Sequence, residues 1–162
     1  MPIDPTVLAN DFARAASSAD IDGWPCAIHT ECLYAPHTPP ALPAGHGAVY
    51  MFVLGERLGS EAPAGPGTVL KVGRVGPGSA PRFSYQHYGT SAPSTLAKSL
   101  LRYRVLWPWL GITHIDASSV QTWMFTHLDR IHFYVLAEHN TVLPSLEIYL
   151  RARVDSVFEG AA

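Results

Sequence analysis

Two stretches decide the fold: Ala48–Leu54 (AVYMFVL) and Thr68–Val75 (TVLKVGRV), joined by Gly55–Gly67 (GERLGSEAPAGPG). The first is apolar on both alternating faces, which suits a central strand. The second is β-branched and reads as the return arm of an antiparallel hairpin with a long loop. Gly76–Gly78 break it. Downstream, Ser79 is expected to cap a short helix carrying Arg82 and His87. Ser94 is expected to cap a longer helix to about Leu106, and Ser118 or Ser119 a helix over Val120–His127. Arg130–Ala137 (RIHFYVLA) reads as a third strand, and Asn140 or Thr141 opens a last helix to about Val154, with Pro144 tolerated in its first turn. Upstream, residues 1–23 read as a helix with Asp4 as N-cap and Pro5 at its first position, and the Pro-rich residues 24–46 as an irregular tether. The expected class is α+β: a small, mainly antiparallel three-stranded sheet flanked by helices. Residues 1–45 form an N-terminal extension and residues 46–162 the main domain.

Composition narrows the function classes. A chain of 162 residues with 48% hydrophobic and 15% charged residues can build one core and is not a disordered polymer. Its longest apolar runs fall far short of the ~18 residues of a membrane span. The acidic start with dispersed apolar residues does not read as a secretory leader, and two cysteines do not make a disulfide scaffold, so a cytoplasmic setting is expected. The net charge of −2 hides an asymmetry: residues 71–104 carry six Lys/Arg and no acid, while residues 1–45 sum to −4. Lys71, Arg74, Arg82, Lys98, Arg102 and Arg104 are therefore candidates for an anion-attracting surface, with scattered surface cations as the plain alternative.

Glu147 is the most informative single residue. Leu143, Leu146, Leu150 and Val154 form one helical stripe, and at ~100° per residue Glu147 falls inside it. A carboxylate facing a core needs a cation or a divalent metal, unless its head reaches water at the stripe's edge. Lys71 interrupts an apolar run in a central strand, where lysine is disfavoured without a partner or a task. Tyr50 on the facing strand is by base rate a core or stacking residue. Arg82 follows a Gly/Ser/Pro turn, where its fork suits phosphate. Cys26, His29 and Cys32 are spaced so that a structural zinc site is conceivable. The spacing matches no common zinc finger, and buried thiols beside a surface histidine are the simpler reading.

Gly47-Ala48-Val49-Tyr50, then Leu70-Lys71-Val72-Gly73, then Arg82 with His87, then Glu147 in a final helix, together resemble the GIY-YIG nuclease superfamily over about residues 46–160. The resemblance implies metal-dependent phosphodiester hydrolysis of DNA, with RNA left open. Tyr50 would be the general base, with Lys71 beside it, Arg82 on the scissile phosphate, His87 nearby and Glu147 on Mg²⁺ or Mn²⁺. The pattern departs at Lys71, where the family usually has Tyr, and at Phe158-Glu159-Gly160, where many members carry Asn. The alternative is a catalytically inactive nucleic-acid-binding or protein-interaction module on the same fold. In the nuclease reading the acidic extension, a poor DNA-binding arm, is expected to serve as a lid, an autoinhibitory flap, or a contact for a protein partner or a second copy.

Overall fold

The computed structural model of the chain describes residues 3–56 and 62–158. Glu159, one of the two departures above, lies outside the described residues. Four strands form one antiparallel sheet: β1 (His29–Leu33), β2 (His46–Leu54), β3 (Val69–Val75) and β4 (Leu128–Leu136), in the order β1-β4-β2-β3. The α-helices among the described residues are α1 (Pro5–Ser17), α2 (Ala80–Ser84), α3 (Leu96–Arg102), α4 (Trp107–Leu110), α5 (Val120–His127) and α6 (Leu143–Val154). The class is α+β.

The sheet has four strands, not the expected three, because the Pro-rich stretch is not an irregular tether. Its segment HTECL forms β1 and pairs with β4 from His29↔Tyr134 to Leu33↔Arg130. The β2–β3 hairpin is antiparallel as read, with a register shift between Phe52 and Val53. β2 is central, paired on both sides and buried nearly throughout. None of the described helices is long and apolar enough to cross a membrane.

Each face of the sheet buries its own core. Val49, Met51, Val53, Ile131, Phe133 and Val135 meet α1 and α6. The α1 start is as expected: Asp4 accepts from the Thr6 and Val7 amides with Pro5 next. Its inward stripe is Leu8, Ala9, Phe12 and Ala16, leaving Val7 half-exposed. The opposite face, with Ala48, Tyr50, Phe52 and Leu54, is covered by α2 to α5. The expected long helix from Ser94 is broken. Ser94 has φ 55°, so Thr95 becomes the N-cap and accepts from the Lys98 amide, and α3 stops at Arg102. A 3-10 turn over Arg104–Leu106 and α4, with Pro108 in its first turn, follow instead. The last helix is preceded by a 3-10 turn over Ala137–Val142, and Val142, not Asn140 or Thr141, occupies its N-cap position.

Candidate functional site

Strand register gathers the polar chemistry on the α2–α5 face. Side chains two apart share a face, so the pairings define rows running across all four strands. One row is Glu31, His132, Tyr50 and Gly73, and the next is Leu33, Arg130, Phe52 and Lys71. A carboxylate, an imidazole, a phenol, a guanidinium and an ammonium thus project to one side of a small sheet.

Tyr50 is fully buried at the middle of the first row. Its ring lies across Gly73: a Cβ there would come within 2.5 Å of the phenolic oxygen and 2.6 Å of Cζ, so only glycine fits opposite this tyrosine. The phenolic oxygen is 2.5 Å from His87 Nε2. The Leu96 amide donates to His87 Nδ1 at 3.3 Å, so the neutral ring carries its proton on Nε2 and donates it to Tyr50. Burial, helped by the cations Lys71, Arg82 and Arg130, pushes His87 down to about 3 and keeps it neutral. Burial pushes the Tyr50 phenol up from its ordinary value, against the pull of Arg82, which also hydrogen-bonds it, and of Arg130.

A polar cleft of about 320 Å³ opens beside the outer edge of β3, lined by Lys71, Arg74, Arg82 and Arg151 with, among the described residues, the single carboxylate Glu147. Glu147 is at the expected place in the α6 stripe, 9% exposed, and its partners are arginines: Arg74 Nε on Oε2 and Arg151 Nη2 on Oε1, each at 3.0 Å. Arg151 also donates to the Val72 carbonyl, tying α6 to the strand edge. Lys71 is 3% exposed, and its Nζ donates to the Ser94 carbonyl at 2.6 Å. Burial first, then Arg82 and Arg151, lower its pKa. Tyr50 and His87 do not line the cleft. They lie behind it, and Arg82 links the two by touching Tyr50 while forming part of the cleft wall.

Lys71 and Ser94 also line a second, larger cleft of about 900 Å³, with Lys98, Arg102 and Tyr103. Arg104 lies over the Trp107 ring, outside the lining of both clefts. The six cations of residues 71–104 therefore divide between two adjoining clefts and one exposed turn.

Cys26, His29 and Cys32 are not gathered around one point. His29 and Cys32 are three residues apart on β1, hence on opposite faces, and both cysteines pack beside the α1–α6 core. Among the described residues no cluster of three or more His, Cys, Asp or Glu is placed to hold a metal ion.

Several site residues were not anticipated. Arg130 is fully buried, with its guanidinium 4.7 Å from the Phe52 and Phe83 ring centroids and 5.3 Å from that of Tyr50. It donates to the Phe83 carbonyl at 2.8 Å. Its Nε and Nη2 have no hydrogen-bond partner among the described residues. Beside it, His132 Nδ1 and the Tyr134 hydroxyl both lie 2.8 Å from Glu31 Oε1. Burial holds His132 well below its ordinary pKa. Burial pushes Glu31 up, but the hydrogen bonds from His132 and Tyr134 outweigh it and hold the carboxyl low. The alternation Arg130-x-His132-x-Tyr134 in β4 was the available signal, since a period of two places all three on one face.

No protein-family model, no curated protein and no solved structure matches the chain. The functional reading therefore rests on the site itself and on the motif resemblance.

Proposed function

We propose that the chain is a metal-dependent phosphodiesterase acting on DNA, with a GIY-YIG-like site. The observation that carries this is that Lys71, Arg82 and Glu147 line one cationic cleft, with the buried Tyr50–His87 pair directly behind Arg82. Phosphodiester hydrolysis requires a base for the attacking water and positive charge on the developing phosphorane oxygens. Tyr50 as phenolate takes the proton from water. The new bond forms between water oxygen and phosphorus, the ester bond to the leaving oxygen breaks, and solvent protonates that oxygen. Arg82 and Lys71 hold the non-bridging oxygens, and His87 keeps its Nε2 proton and steadies the phenolate with a hydrogen bond. Since Tyr50 is buried behind Arg82, the phosphate must draw Arg82 outward for the phenolate to meet the water.

Glu147 fits a magnesium-type ion in donor chemistry. Such ions keep several waters and need only one or two carboxylates plus substrate phosphate oxygens, and each Glu147 oxygen spends one lone pair on an arginine. Bound there with Glu147, Mg²⁺ or Mn²⁺ would polarise the phosphate and stabilise the leaving oxygen.

A second reading is favoured by two observations: the full burial of Tyr50 and the pairing of both Glu147 oxygens to arginine. Under it the cleft grips a backbone phosphate without cutting. Cleavage of supercoiled plasmid and of single-stranded DNA separates the two, run with Mg²⁺, with Mn²⁺ and with EDTA, beside Glu147→Ala. Metal-dependent nicking that the substitution reduces at least about a hundredfold is expected. Retention of DNA without cleavage in any metal supports the binding module.

A further inference from the structure

We infer that the larger cleft seats an unpaired nucleobase next to the phosphate gripped in the smaller one, so that the substrate is single-stranded or locally melted DNA. This rests on the phosphodiesterase reading above. The two clefts share Lys71 and Ser94, and the 2.6 Å bond from Lys71 Nζ to the Ser94 carbonyl lies where they meet. A nucleotide straddling that bond places its phosphate among Arg82, Arg74 and Lys71 and its base in the larger cleft.

The larger cleft has the chemistry of a base seat. Tyr103 is 43% exposed, and its inner side stacks on Phe158 at 5.8 Å between centroids and 30° between planes. A platform of two rings is thereby fixed, and the exposed part of Tyr103 is what a base would meet. The Arg102 guanidinium lies 5.4 Å from the Tyr103 centroid, and Lys98 stands one helical turn earlier on α3. No carboxylate among the described residues lines the cleft. Its volume of about 900 Å³ exceeds what one phosphate needs and lies in the range of sites for nucleotide-sized ligands. Aromatic rings interleaved with cations are how single strands are held, with stacking indifferent to base identity. In a duplex both faces of each base are covered by its neighbours, so Tyr103 has nothing to stack on until a base is freed.

The test is fluorescence anisotropy in EDTA with a short fluorescein-labelled single-stranded DNA and the blunt duplex of the same sequence. A parallel strand carrying 2-aminopurine reports stacking. The single strand is expected to bind at least about tenfold more tightly than the duplex, and 2-aminopurine to be quenched on binding. Tyr103→Ala should weaken single-strand binding by about fivefold to a hundredfold and abolish the quenching, with duplex binding unchanged as the control for folding. Tyr103→Phe should restore both. Equal affinity for the two forms, with Tyr103→Ala silent and Arg82→Ala weakening both, overturns the base seat and leaves the phosphate cleft standing. Absence of binding to either DNA overturns the base seat and the phosphodiesterase reading together.

Discussion

Tyr50 is the residue on which the proposed chemistry turns, and its environment is divided against itself. Burial favours the phenol, while Arg82, Arg130 and the His87 Nε2 proton favour the phenolate. Arg130 is the unusual member, a guanidinium with no carboxylate paired to it among the described residues, held by ring faces, the Phe83 carbonyl and the Tyr88 hydroxyl. Cation–π contacts are worth about 2 kcal/mol or more when desolvated, which helps to offset a costly burial. Arg130→Met keeps the volume and removes the charge, so the Tyr50 phenol should titrate at still higher pH. NMR titration of ring-labelled tyrosine checks this, and an unmoved Tyr50 midpoint would show that Arg130 does not act on it. Glu147 and Lys71 were legible in the sequence because each broke an apolar pattern. Arg130 and His132 were not singled out, although alternation in β4 places them beside Tyr50, because strand and motif were read separately.

At the scale of elements, β3 and β2 make the site by close approach. The Tyr50 ring occupies the space a side chain at position 73 would need, so Gly73→Ala overpacks a well-filled face. It should cost about 1–3 kcal/mol in urea unfolding, whereas Gly76→Ala, with its nearest neighbour 3.8 Å away, should cost little. Equal costs for the two would show that Tyr50 does not depend on Gly73. The hairpin and the last helix were readable because their patterns are long and apolar. β1 was not: two exposed and three half-buried residues among prolines carry no apolar alternation, and their strand character comes from pairing with β4. α3 was overextended because the left-handed Ser94 and the break after Arg102 are tertiary in origin.

Across the whole molecule, two histidines are held neutral inside the fold. His87 is pushed down to about 3 from 6.5, and His132 also titrates low. The folded state leaves them unprotonated where the unfolded chain would bind protons. Their contribution is therefore fully present above about pH 6.5 and lost as pH falls towards 3. Each should lower stability by about 1.4 kcal/mol per pH unit within that window. Urea unfolding as a function of pH measures this, and a flat profile through the window would mean that the histidines are not buried as described. The charge map matters at the same scale. A chain of net charge −2 concentrates cations in two adjoining clefts, so it presents a local anion-attracting surface while staying weakly anionic overall.

The most direct test of the central claim is the pH dependence of single-turnover DNA cleavage in Mg²⁺, for the unaltered chain and for Tyr50→Phe. With Tyr50 acting as phenolate and its phenol raised by burial, the rate should climb about tenfold per pH unit from neutral into the alkaline range. Tyr50→Phe should be slower by about a hundredfold or more and lose that slope. Cleavage by Tyr50→Phe at the unaltered rate, with the same pH profile, would contradict the assignment of Tyr50 as the base.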